Sequence, residues 1–169
     1  MQKAEQFRIL KENFNSTGKY EDEDRAYIMF KRYEAKSWLT EQQEKGGINR
    51  IVSYVPHSFK WLVFDKIGLY ATSPGRVLFS VVVFWIFFGI IYFLVDISGL
   101  GQTVSSVDNP DQLSTLLQSF YHSAITFFTI GYGDVYPMGM SRIISGIEGF
   151  MGVFMMSYFT VAFVRKVLR

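Results

Sequence analysis

The hexapeptide Thr129-Ile130-Gly131-Tyr132-Gly133-Asp134 lies between two long apolar runs, and that placement decides the fold. The first run, VLFSVVVFWIFFGIIYFLV at residues 77–95, has no Asp, Glu, Lys or Arg. It is about the 20 residues a helix needs to cross a bilayer. The second, residues 143–164, is similarly long and holds one such residue, Glu148, among several glycines of the kind membrane helices tolerate. A chain of 169 residues could form one compact soluble domain, but apolar side chains concentrated in the second half argue against a single globular core. The expected class is an all-α membrane protein with two transmembrane helices and a polar, glycine-bearing segment between them.

The charge map gives this arrangement a direction. Lys and Arg are absent from 77 to 141, while Lys60, Lys66 and Arg76 precede the first run and Arg165, Lys166 and Arg169 close the second. Arg142 is the one exception. Basic residues favour cytoplasmic flanks, so both termini are expected in the cytoplasm and the segment between the helices outside. The charged N-terminus does not have the form of a secretory signal. With no cysteine, disulfides and thiolate metal sites are excluded. The net charge of +2 is uninformative as a total, and no nucleic-acid partner is expected.

Outward from the hexapeptide, residues 96–115 are rich in Gly, Ser, Asp and Asn, as suits an external loop. Asn109 is placed to cap a helix, with Pro110 at its first position and Asp111 in its first turn. The helix expected over 110–127 is too short and too polar to span. It is read as a re-entrant pore helix that dips in from outside and returns as non-helical backbone. Such backbone is tolerated at membrane depth only where protein buries it or where it lines a water-filled path.

The longer stretch Tyr121-His122-Ser123-Ala124-Ile125-Thr126-Phe127-Phe128-Thr129-Ile130-Gly131-Tyr132-Gly133-Asp134-Val135-Tyr136-Pro137 resembles the pore loop of potassium channels, whose signature is T-V/I-G-Y-G-D. With its flanking helices the likeness covers roughly residues 76–169, and it is closest to two-transmembrane-helix channels of bacterial type. The resemblance implies that the backbone carbonyls of Thr129, Ile130, Gly131 and Tyr132, with the Thr129 hydroxyl, replace the hydration shell of K+. It also implies that alternate residues take backbone angles costly for side chains with a Cβ, which Gly131 and Gly133 adopt at little cost. Tyr132 would turn into an aromatic cuff, and the C-terminal dipole end of the pore helix would favour a cation in the central cavity. One loop lines one side of each ion cage, so three further copies complete a homotetramer of closed symmetry.

Several neighbours of the hexapeptide depart from the family pattern. Tyr121 and His122 stand where many relatives have a tryptophan pair, Ile125 where some place an acid beside the aspartate, and Phe128 where threonine is frequent. Filter support is assigned to Asp134, Tyr121, His122, Ile125 and Glu148. His122 is read as a packed cuff residue rather than a pH sensor. Glu148, costly inside a membrane, is expected to hydrogen-bond behind the filter, out of the conduction path. Gly152 aligns by its spacing from Arg142 with the family's gating hinge, with Gly149 and Gly146 near enough to compete. Met156 and Thr160, one turn apart, are expected to line the cavity.

Residues 1–57 read as a cytoplasmic helical hairpin. Ala4, Phe7, Leu10 and Phe14 recur at helical spacing, Asn15-Ser16-Thr17-Gly18 supplies a turn, and Ala26, Tyr27, Phe30, Tyr33 and Trp38 continue the period before Lys45-Gly46-Gly47. The pair resembles one tetratricopeptide unit, which stacks on neighbours to bury its apolar face, and could receive a cytoplasmic regulatory partner. Residues 58–72 suit an amphipathic helix in the lipid headgroup plane. The pore domain is 73–169, with transmembrane helices at 77–95 and 143–164, pore helix at 110–127 and filter at 129–134.

The expected function is passive potassium conduction across a cell membrane, the bacterial inner membrane by resemblance. K+ is the permeant ion and no cofactor is expected. Catalysis is not expected: Gly131-x-Gly133 lacks the rest of a nucleotide-binding pattern, and no nucleophile–base pair competes. No helix carries the repeated arginines of a voltage sensor. The alternatives are a non-selective cation channel, which usually changes the Tyr132 position, and a membrane-anchored scaffold with a vestigial pore. The gating stimulus is not legible, and the chain is either gated through its N-terminal segment or part of a longer protein.

Overall fold

The computed structural model describes residues 2–44, 54–106 and 113–168, which fall into two compact units. One comprises Met1–Arg76 and Val161–Arg169, the other Val77–Thr160. Lys45, Gly46 and Gly47, expected to end the second helix, and Asn109, Pro110 and Asp111, expected to start the pore helix, lie outside the described residues.

In the first unit, α1 (Gln2–Ser16) packs against α2 (Tyr20–Glu44). Their connection is a Schellman turn: Gly18 takes φ +70°, its N–H donates to Asn15 O, and the Lys19 N–H donates to Phe14 O. The pairing is antiparallel, since Lys3 and Phe7 meet Tyr33 while Lys11 meets Tyr27. The inner face of α1 runs through Ala4, Phe7, Lys11 and Phe14, and Leu10 is exposed instead of facing inward. Lys11 takes that place because its stem lies along the interface and its ammonium sits 5.8 Å from the Tyr27 ring centre.

The single helix expected over 58–72 is divided. α3 (Tyr54–Lys60) passes directly into a π-helical turn, Trp61–Ile67. Gly68 ends it, and Leu69, Tyr70 and Ala71 all take positive φ of 47°, 56° and 61°, so no right-handed helix can continue. The π turn buries Val63, Asp65 and Ile67. Asp65 accepts a bidentate bond from Arg32 of α2 at 2.7–3.2 Å, which raises the Arg32 pKa further.

Among the described residues, two helices are long and apolar enough to cross a membrane: α4 (Pro74–Ile97, mean hydropathy 2.7) and α6 (Met140–Val167, mean hydropathy 1.6). Each extends a few residues beyond its apolar run, α4 because Pro74 suits a first helical position. In the second unit they flank α5 (Thr115–Phe127). α5 starts five residues later than expected, because the Ser114 hydroxyl caps it by accepting from the Leu117 N–H.

The polar stretch after α4 is not simply loop. β1 (Gly101–Ser105) pairs antiparallel with β2 (Val135–Gly139), in register from Gly101 opposite Gly139 to Ser105 opposite Val135. Gly139 has φ +60°, and a Cβ there would stand 2.7 Å from Leu100 O. The ribbon therefore starts β2 directly after the hexapeptide and delivers the chain into α6.

Candidate functional site

The segment after α5 is built from the end of that helix. Beyond Phe127, the Thr129 N–H donates to Thr126 O, and the Ile130 and Gly131 N–H groups both donate to Ile125 O at 2.9 and 3.1 Å. Carbonyls left open by the helix terminus are thereby satisfied, and three successive amides are turned toward the helix. Ile125 itself is buried, so its support is given through its carbonyl.

The backbone then alternates. Thr129, Gly131 and Gly133 take φ of +56°, +59° and +79°, while Ile130 and Tyr132 between them do not enter that region. Glycine makes the region accessible at two of the three positions. Thr129 is the third, a β-branched residue held in an unfavourable conformation, of the kind that collects at functional sites. Its hydroxyl donates to Phe128 O at 2.7 Å, which leaves the oxygen lone pairs free to accept. All six residues from Phe128 to Gly133 are exposed in the single chain, Tyr132 at 71%.

The far end of the segment is tied to the ribbon. Ser106 donates its hydroxyl to Gly133 O at 2.6 Å and its N–H to Asp134 O at 2.7 Å. Asp134 Oδ2 accepts from the Tyr121 hydroxyl at 2.6 Å, and Oδ1 accepts from the Val135 N–H. The Tyr121 phenol is pushed up to about 12, chiefly by that hydrogen bond to the carboxylate. Ser106 escaped the sequence reading, and only the strand pairing brings it here.

Behind α5 lies a buried polar cluster. Glu148 of α6 is fully buried; Oε2 accepts from the Tyr92 hydroxyl of α4 at 2.7 Å, and Oε1 lies 2.5 Å from Ser123 Oγ of α5. Ser123 Oγ also lies 3.0 Å from Trp85 O, and Trp85 Nε1 donates to Phe120 O at 3.2 Å. A serine hydroxyl has one hydrogen. It is directed to Glu148 Oε1 in the shorter contact, with Trp85 O as the second acceptor. Three helices are thus joined through one carboxyl group. His122 is buried beside it, edge-on to Tyr92 with ring centres 4.8 Å apart, its Nε2 3.5 Å from Ser145 Oγ. Burial lowers the His122 pKa to about 4.

Gly152 lies against the end of α5. A Cβ there would fall 2.0 Å from Phe127 O, whereas one at Gly146 or Gly149 would meet nothing within 4 Å. Of the three neighbouring glycines, it alone is required by packing. Met156 and Thr160 are exposed in the single chain, and the Thr160 hydroxyl bonds back to Met156 O one turn earlier.

Two apolar helices of membrane length around a short helix and a strained, glycine-spaced segment agree with the comparisons. The family described as "Ion channel" matches residues 80–169, a span that includes the whole constellation. The chain belongs to the ion channel family.

Curated relatives of this ion channel include Protein LctB from Bacillus caldotenax, 36% identical over 70 residues, and Protein LctB from Geobacillus stearothermophilus, 34% identical over 70 residues. Each match covers 40% of the channel chain and 52% of the relative, so the chain spans about half the length of these relatives. No solved structure matches. A membrane location follows from the family and the two helices.

Proposed function

We propose that the chain is one subunit of a potassium-selective channel in which four copies surround a pore lined by residues 129–133. The observation that carries this reading is the alternation of left-handed backbone at Thr129, Gly131 and Gly133 between two helices of membrane length. Alternating handedness lets successive carbonyls face the same side, as a stack of oxygens replacing a hydration shell requires. The amides of Thr129, Ile130 and Gly131 are already engaged by α5, so they do not compete for that side. A cation is favoured further by the C-terminal dipole end of α5.

The exposed Tyr132 and Ile130 suit burial against further copies around an axis. On this reading α5 is re-entrant, both termini are cytoplasmic, Met156 and Thr160 line the cavity, and K+ passes without a cofactor. Tyr132 is the position that separates this reading from a non-selective cation pore. Reversal potentials of the reconstituted chain in a potassium/sodium gradient test it. The potassium equilibrium value is expected; a value near zero would mean a non-selective pore, and no current a scaffold.

A further inference from the structure

The first unit contains a polar junction at the end of α6 that conduction does not require. Asp24 of α2 is buried, and its two oxygens face Arg165 Nη2 at 3.2 Å and Lys166 Nζ at 3.7 Å. Arg165 does more than pair with it. Its guanidinium lies 4.3 Å from the centre of the Tyr27 ring, and Nη1 donates to Tyr70 O at 3.3 Å. Tyr27 in turn meets the Tyr70 ring edge-on, with centres 6.5 Å apart. One arginine therefore touches the hairpin through Asp24 and Tyr27, and the three-residue left-handed turn before α4 through Tyr70.

Each contact uses a property of arginine that lysine lacks: a flat face for the ring and a fork of donors for carboxylate and carbonyl together. Asp24 is enclosed enough that removing both cations would leave a poorly solvated charge. The turn it shares is strained at Leu69, Tyr70 and Ala71, and strain of this kind persists only where surroundings hold it. A second ion pair, Arg32 with Asp65, ties the hairpin to the π turn immediately before.

We propose that Asp24, Tyr27 and Tyr70 with Arg165 form a latch through which the N-terminal hairpin restrains the end of α6 and so holds down the channel's open probability. The latch rests on the conduction reading given above. α6 runs unbroken from Met140 to Val167, so displacement of its end is displacement of a helix that traverses the pore domain. While Asp24 grips that end, the hairpin and α6 move together or not at all. Release of the grip frees the helix end, which makes the hairpin the regulatory input.

Single-channel recording of the reconstituted full chain tests this with Asp24→Asn, Arg165→Gln and the double variant. Each single substitution is expected to raise open probability roughly two- to fivefold, the range corresponding to one ion pair of partial exposure. The double variant should add little to the larger single effect. Unchanged or lowered open probability, or effects that multiply, would overturn the latch. Amide hydrogen exchange of the folded full chain gives a second readout independent of current: exchange over the end of α6, residues 161–167, should rise in Asp24→Asn and in Arg165→Gln relative to the parent. Unchanged exchange there in the folded variants also overturns it. A parent reversal potential near zero would instead defeat the potassium reading, with both latch measurements still decisive.

Discussion

Gly152 of α6 and Phe127 of α5 approach so closely that no side chain fits between them: a Cβ on Gly152 would lie 2.0 Å from the Phe127 carbonyl oxygen. Phe127 is the last residue of the helix whose end supports Thr129, Ile130 and Gly131. Gly152→Ala must therefore push the backbone that leads into residues 129–133, the proposed filter. The expected result is a loss of about tenfold in potassium-over-sodium permeability, the equivalent of about 1.4 kcal/mol, with about 1–3 kcal/mol less stability from overpacking. A hinge would give a different signature: altered open probability with the reversal potential unchanged. Recording both quantities in one variant separates the two roles.

The cluster around Glu148 makes a prediction about charge. If the carboxyl is protonated, Glu148→Gln keeps a donor toward Ser123 and an acceptor for Tyr92, so assembly and selectivity should persist. Glu148→Leu removes the buried acceptor of the Tyr92 hydroxyl and leaves Ser123 with Trp85 O alone, at an expected cost of about 1–3 kcal/mol. Thermal unfolding in detergent with reversal-potential measurements on both variants checks the contrast. Gln failing as badly as Leu would show that the ionised form is the one required.

Tyr121→Phe removes the hydroxyl that holds Asp134 Oδ2 at 2.6 Å and leaves the ring in place. Asp134 keeps its bond to the Val135 N–H and loses its tie to α5. Selective current should still appear but decay faster during prolonged opening, with little change in folding. Macroscopic current relaxation compares the two proteins, and identical time courses would remove Tyr121 from the list of filter supports.

His122 should be silent in ordinary recordings. With its pKa lowered to about 4 by burial, it is neutral throughout pH 8 to 5.5, so current through this residue does not titrate. The sign for stability follows from the same shift. An unfolded histidine binds a proton near 6.5 and the folded one only near 4, so stability is complete above 6.5 and is lost as pH falls between these values. Unfolding temperature against pH should show that fall in the parent and less of it in His122→Gln. A current titrating near pH 6.5 that His122→Gln abolishes would make it a sensor after all.

What could be read from the residues alone depended on how local the cause was. The apolar runs at 77–95 and 143–164 announce long helices by composition, and glycines two apart announce unusual backbone at 131 and 133. The ribbon was hidden because Gly101–Ser105 has no alternating apolar pattern and pairs with a strand more than thirty residues on. Glu148 clearly needed partners, yet Ser123 and Tyr92 lie 25 and 56 residues away and are named only by packing. A lone tyrosine in an apolar helix and a serine in the short one were the available signals. The start of α5 at Thr115 was missed because Ser114 competes with Asn109-Pro110 as a helix start, and sequence alone does not rank the two. Lys11 in place of Leu10 was similarly invisible, since the deciding factor is the ring of Tyr27 on the facing helix.

The tie from Ser106 to Gly133, taken with the bonds from Thr129, Ile130 and Gly131 back to α5, holds residues 129–133 at both ends and leaves Tyr132 between the anchors. A strand stretched between two anchors cannot relax at one point alone. Any change in its length or twist is shared among its carbonyls, so on the proposed potassium reading no ion position is tuned alone. On that reading, a substitution in the ribbon near Ser106 should shift the occupancy of every site together.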